Sequence, residues 1–240
     1  MDDPEKIKEL ARKGDEEAQL TVAESYMYGR EHNYRKAAKW LRPAAEQGNA
    51  YAQSELAMCY IYGCPADYDE AAKWARLAAD QGNDTSQYWL AHLYMTGKGV
   101  PRDKAEAARL MAKAAEQGHH EAMCEFGIMY ALGYGVQQSE EEAVKWFKLA
   151  VDDENERAMY ILGRMYLDGI FVQQDYAEAI RLLRTAAENH EAEAQYLLSL
   201  LYAEGRGVPQ DLRKADMWSL LAMEGDSWSV GELFWLWGKE

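Results

Sequence analysis

The chain is poor in cysteine and proline, and it has too few positive charges to balance its acids. Its three cysteines, Cys59, Cys64 and Cys124, are odd in number and form no CxxC pair. A disulfide framework is therefore not expected, and a reducing compartment fits. Five prolines in 240 residues leave helices free to run. Lysine and arginine number 26 against 41 aspartate and glutamate, a formal net charge of −15. Phosphate backbones repel such a chain, which argues against nucleic acid. A basic protein segment is its natural electrostatic complement. No stretch approaches the ~18 apolar residues of a membrane span. The start, Met1-Asp2-Asp3-Pro4-Glu5-Lys6, has no basic region followed by an apolar run. The expectation is a soluble, cytoplasmic protein that engages neither membrane nor nucleic acid.

Catalytic signatures are missing as well. The chain has no HExxH, no GxSxG, no Walker loop and no dinucleotide fingerprint. Gly97-Lys98-Gly99 follows a helical pattern, not a strand, and reads as a structural loop. His119 and His120 are adjacent and cannot both address one ion from a regular helix face, so they read as a solvated pair. The acidic runs Glu140-Glu141-Glu142 and Asp152-Asp153-Glu154 lack the ligand-and-glycine spacing of a calcium loop and read as helix ends. No cofactor, no metal and no enzymatic activity are expected.

What is present is a repeat. A glycine returns every 34 to 36 residues at Gly14, Gly48, Gly82 and Gly118, and again at Gly225; Glu154 and His190 hold the same phase. Twelve residues after the first six phase points stand Tyr26, Tyr60, Tyr94, Tyr130, Tyr166 and Tyr202, and three residues later Gly29, Gly63, Gly97, Gly133, Gly169 and Gly205, each expected to stop its helix because glycine tolerates the left-handed conformation. Such a period means stacked helix pairs sharing one continuous core. Small residues at offset four, bulky ones at eight and tyrosine at twelve line one face of each first helix. Ala37-Ala38-Lys39-Trp40 and its echoes mark the second helices, the first of which carries Pro43 and should loosen there. The tyrosines at offset twelve are expected to be buried, with each hydroxyl bonded to a loop or a neighbouring repeat. The expected division is a capping helix at 1–14, repeats at 15–48, 49–82, 83–118, 119–154, 155–190 and 191–225, and a second capping helix at 226–240.

These residues resemble the Sel-one-like repeat family, a branch of the tetratricopeptide-related α/α solenoids. Its signature is Ala-x-x-x-Leu-Gly-x-x-Tyr-x-x-Gly-x-Gly-Val-x-x-Asp followed by a helix ending Ala-Ala-Glu-x-Gly. The third repeat matches most of it, with Ser86 and Ala91 replacing the first alanine and the first glycine. The resemblance implies an all-α, right-handed superhelical solenoid and an adaptor, scaffold or regulatory role through protein binding. A cysteine-rich branch of the family has a disulfide in each repeat and is linked to β-lactam binding or hydrolysis. This chain lacks that cysteine pattern, so the activity is not carried over, and a β-lactam-related hydrolase stands last among the readings.

The repeats carry their own control for function. Positions alike in every unit serve packing, whereas positions that vary are free of that duty. In the first helices the variable stripe falls three, seven, ten and fourteen residues after the phase point, one helix face. By analogy with related solenoids this face lines the concave side. Ten of its 24 positions are apolar or aromatic, eight acidic and two arginine, which is too apolar for a merely solvated face. The stripe nominates Tyr28, Tyr51, Tyr62, Trp89, His92, Ile128, Arg157, Ile161, Arg164, Leu197 and Leu200 as partner-binding residues. Trp89, Tyr62 and His92 would form the anchor, and Arg157 and Arg164 a basic spot on an acidic wall. At the chain end, Phe234, Trp235 and Trp237 nominate a second interface, for self-association or for the partner. The expected function is non-catalytic binding of a protein or peptide with a basic segment. The alternative is an acidic immunity protein or inhibitor that neutralises a basic toxin or enzyme.

Overall fold

Most helices begin where a short polar side chain caps them. Asp15, Asn49, Asn83 and Asn155 each accept a hydrogen bond from the backbone N–H three residues on, while Asn33, Asp67, Asp103, Ser139 and Asp175 cap second helices in the same way. The computed structural model describes residues 4–30 and 32–224. Among these it contains thirteen α-helices and no strand. The described part of the chain is an all-α repeat solenoid.

The chain divides into two compact units, Met1–His119 and His120–Glu240. In the first unit α1 (Pro4–Arg12) packs on α2 (Glu16–Met27), and α3 (Tyr34–Glu46) follows. After these come α4 (Ala50–Tyr62), α5 (Tyr68–Asp80), α6 (Asp84–Thr96) and α7 (Lys104–Glu116), each against its predecessor. The second unit runs α8 (His120–Leu132), α9 (Glu140–Asp152), α10 (Glu156–Asp168), α11 (Tyr176–Glu188), α12 (Ala192–Glu204) and α13 (Leu212–Glu224). Helix α3 continues through Pro43. The expected C-terminal helix, with Phe234, Trp235 and Trp237, lies outside the described residues.

The phase residue sits in the left-handed region in each repeat. Gly14, Gly48, Gly82 and Gly118 have φ between 90° and 96°; Glu154 and His190 adopt φ 61° and 69° without the freedom of glycine. The glycine three residues after the tyrosine has two distinct duties. Gly97, Gly169 and Gly205 end their helices in the left-handed conformation, as expected. Gly63, before a shorter loop, is extended at φ −63°. There, as at Gly29, a Cβ would strike a backbone oxygen, 2.6 Å from Cys59 O or 2.1 Å from Ser25 O. Close approach, not handedness, excludes a side chain at these two positions.

The cores follow the repeat. Ala37, Ala71, Ala107, Ala143 and Ala179 are fully buried, so paired helices approach closely. In the second unit Phe147, Ile161, Met165, Leu167, Leu183 and Leu198 fill one cluster. Among the offset-twelve tyrosines only Tyr202 is buried; the other five are half-buried, and the hydroxyls of Tyr60 and Tyr94 reach out to exposed arginines. Three of their hydroxyls accept from an arginine eighteen residues earlier, on the preceding second helix. Arg42 donates to Tyr60, Arg76 to Tyr94 at 2.9 Å and Arg184 to Tyr202 at 3.2 Å. These bonds link neighbouring repeats, as expected of the tyrosines.

Candidate protein-binding surface

The first-helix stripe takes opposite forms in the two units. In the first unit α2 and α4 exchange two tyrosine–carboxylate bonds. The Tyr28 hydroxyl donates to Glu55 Oε2 at 2.8 Å, and the Tyr51 hydroxyl donates to Glu24 Oε1 at 2.8 Å. The sequence sets this up twice, since Glu24 and Tyr28 are four residues apart on one face, as are Tyr51 and Glu55. Burial first, then the bonded and neighbouring carboxylates, pushes both phenols up. Glu55 is buried, and that burial raises its carboxyl above the ordinary range, with the charge of Glu24 adding to the rise and the Tyr28 bond opposing it.

With their hydroxyls turned to carboxylates, the rings stay outside. Tyr28 is 60% exposed, Tyr51 42% and Tyr62 46%. Tyr62 leads into an aromatic chain, meeting Trp89 edge-on at 5.6 Å between centroids and Tyr34 at 5.8 Å. Trp89 and His92 are half-buried and joined by Tyr88, whose ring is 5.2 Å from Trp89 and 4.6 Å from His92. Tyr88 also stacks on His119 at 4.6 Å. Tyr51, Tyr62, Trp89 and His92 therefore stand on α4 and α6, and Tyr28 caps the end of α2 beside them. Exposed aromatic faces beside acids attract a desolvated cation through both the ring quadrupole and the carboxylate charge.

In the second unit much of the same stripe is closed, while Leu132 and Leu200 stay exposed. Arg157 donates to Glu125 at 2.8 Å, and Arg164 lies 3.6 Å from Asp168, which also accepts from Arg206 at 3.0 Å. The two nominated arginines are thus held by acids of their own unit. Ile161 is fully buried in the core cluster, closed in by neighbouring side chains, so it has no surface to offer a partner. Ile128 and Leu197 are half-buried against that cluster, and Leu200 is 38% exposed.

Sequence reasoning left some contributors off its list. Glu24 and Glu55 lie on the stripe, and their four-residue spacing to tyrosine was the available signal. Tyr34 is on a second helix and Tyr88 is off the stripe, so only the three-dimensional ring contacts reveal them. His119 and His120 are half-buried, the first stacked on Tyr88 and the second 2.8 Å from Asp153. Among the described residues no group of three or more His, Cys, Asp or Glu is placed to hold a metal. No described helix is long and apolar enough to cross a membrane.

Comparison with known proteins identifies the repeat. The Sel1 repeat family model matches six times, at residues 16–49, 50–83, 85–119, 120–155, 156–190 and 192–226. Among solved structures, a Sel1 repeat protein from Oxalobacter formigenes is similar with TM-score 0.83 and 30% identity, over 97% of this chain and 68% of that one. A protective antigen of uropathogenic Escherichia coli displaying an SLR fold is similar with TM-score 0.81 and 31% identity, over 95% of this chain. The chain spans 50% of the length of that antigen. The immunity protein PA5088 from Pseudomonas aeruginosa shares the fold, with TM-score 0.59 and 20% identity over 88% of this chain and 83% of that one. No curated protein matches the chain. With six matches tiling most of its length, the chain belongs to the Sel1 repeat family.

Proposed function

We propose that the protein is a non-catalytic adaptor or regulator that binds a basic protein segment on the first-helix face of its first unit. Sel1 repeats are protein-interaction modules, which sets the coarse function. The observation that carries the finer reading is the pairing of Tyr28 with Glu55 and of Tyr51 with Glu24 beside the Tyr62–Trp89 contact. A lysine or arginine side chain fits between such rings and carboxylates, and the net charge of −15 steers a basic segment toward it.

The test is binding of a labelled lysine- and arginine-rich peptide to wild type and to Trp89→Ala. The variant should bind about tenfold more weakly or worse, with an unchanged melting temperature. Equal affinity would refute the assignment. A dedicated inhibitor of one basic toxin or enzyme is the second reading, and the acidic charge motivates it. It would show a single tight partner where an adaptor shows several weaker ones.

A further inference from the structure

A second site of opposite sign lies in the first unit, between the second helices α3 and α5 and the end of α4. A cavity of about 660 Å³ opens beside α3, the 63–67 loop and the start of α5. Arg35, Lys39 and Arg42 line it from one face of α3, and Tyr60, Cys64 and Tyr68 line it as well. Three cations around one hollow are unexpected in a chain of net charge −15.

The repeats again supply the control. In α5, α7, α9 and α11 the residue before the buried alanine (Ala71, Ala107, Ala143 or Ala179) is Glu70, Glu106, Glu142 or Glu178. Each holds the cation three positions on: Lys73 at 3.1 Å, Arg109 at 2.6 Å, Lys145 at 3.1 Å and Arg181 at 2.6 Å. Acids in the first turn also complement the helix dipole. Helix α3 reverses the sign. It has Lys36 at that position and no acid in its first turn. Lys39, the counterpart of Lys73, has thereby lost its carboxylate, and neither it nor Arg35 makes an ion pair among the described residues. Arg42 is occupied by Tyr60 and by Glu46 at 3.7 Å. Lys98 adds a further cation, 4.8 Å above the Tyr68 ring. Two carboxylates, Asp67 and Asp69, line the cavity too, and Asp67 keeps its charge while capping the N–H of Glu70, so the lining carries three cations against two acids.

We infer that this cavity is a binding site for an acidic peptide segment, adjoining the aromatic face at Tyr34 but presenting the opposite charge. Arg35, Lys39 and Arg42 are spaced i, i+4, i+7, so they form a row roughly 10 Å long at about 1.5 Å per residue. A row of that length suits successive carboxylates of an extended chain, whose same-side residues recur about every 7 Å. A single compact anion would use only part of it. The tyrosine walls accept the intervening backbone and methylenes. A module that takes a basic segment on one face and an acidic segment on another can bridge two partners.

The probe is a fluorescein-labelled decaglutamate peptide, titrated at low ionic strength against the full chain. Wild type should bind it, and the Arg35→Glu/Lys39→Glu double variant should bind at least about tenfold more weakly. Lys113→Glu/Arg213→Glu, with the same net charge and exposed residues away from the cavity, should retain wild-type affinity. Circular dichroism melts of both variants exclude unfolding as the cause. Cys64 is an exposed thiol, whereas Cys59 and Cys124 are buried. Bound peptide should therefore slow maleimide labelling of Cys64. No binding by wild type, equal loss in both double variants, or unprotected Cys64 would overturn the site. Saturation by citrate at the same concentration, with displacement of the peptide, would contradict the assignment to an extended segment.

Discussion

The two units are written in one repeat grammar and use its free positions in opposite ways. In Met1–His119 the stripe residues turn their hydroxyls to carboxylates and leave rings exposed, as at Tyr28 and Tyr51. In His120–Glu240 the same positions become ion pairs and core, as at Arg157, Arg164 and Ile161. The helix junctions differ too. Gln19, Gln53 and Gln87 are buried and donate to a carbonyl eight residues earlier, Ala11, Ala45 and Ala79. Gln81 and Gln117 then donate to Gln53 and Gln87 at 2.7 and 2.8 Å. In the second unit Met123 and Met159 replace the glutamine, and only Gln195 repeats the bond. Packing is therefore common property of the repeats, while the polar side chains differ between units: the first leaves tyrosine rings exposed on this face, and the second ties its arginines into ion pairs.

The largest expected effect tests the core of the second unit. Phe147 is fully buried, and its ring fills the space left by Gly127, where a Cβ would lie 2.9 Å from it. Phe147→Ala should cost about 3–5 kcal/mol in chemical denaturation, and Gly127→Ala should also destabilise by forcing the ring to move. A loss under 1 kcal/mol (about one CH₂ equivalent) would mean that the core is not tightly closed.

The glutamine ladder gives the next effect. Gln87→Met copies the second unit into the first and removes the donor to Ala79 O and the acceptor of Gln117. A destabilisation of about 1–2 kcal/mol is expected. Equal or greater stability would show that the ladder contributes nothing to the fold.

Helix α12 tests the cap at a place where the grammar fails. Glu191 stands where Asn49, Asn83 and Asn155 cap their helices, and its side chain caps nothing. Burial, then the neighbouring Glu193, raises its carboxyl to about 7. A carboxyl raised in the folded state favours the protonated form there. Its contribution is full below the ordinary glutamate value and is lost as pH rises through about 7. Glu191→Asn should therefore stabilise by about 1–2 kcal/mol at alkaline pH, with a smaller gain at acidic pH. A gain independent of pH would assign the whole effect to the cap.

The smallest effects concern backbone handedness. Glu154→Gly and His190→Gly should each stabilise by about 1 kcal/mol, since a side chain now occupies a left-handed position that glycine holds in the first four repeats. The matching Gly48→Ala and Gly82→Ala should destabilise by a similar amount.

The architecture was legible because it repeats. Six copies of the phase residue, the small residues and the tyrosine fix helix limits and pairing through local rules. What was not legible depends on side chains meeting across repeats. The spacing placed Ile161 on the variable stripe, yet its neighbours in the second unit close over it. Arg157 read as a free basic spot until Glu125, one repeat away, was seen to hold it. Gly63 read as a left-handed stop, but its shorter loop makes close approach to Cys59 the governing demand. The arginine–tyrosine bonds over eighteen residues were also in the sequence, at Arg42, Arg76 and Arg184, but no local rule marks them.

The central claim is that the open first-helix face of the first unit takes a basic segment. Hydrogen–deuterium exchange of the full chain, with and without the saturating lysine- and arginine-rich peptide, tests it most directly. The account predicts slowed exchange in α2, α4 and α6 with α10 and α12 unchanged. Protection confined to the second unit, or to the second helices α3 and α5, would contradict it.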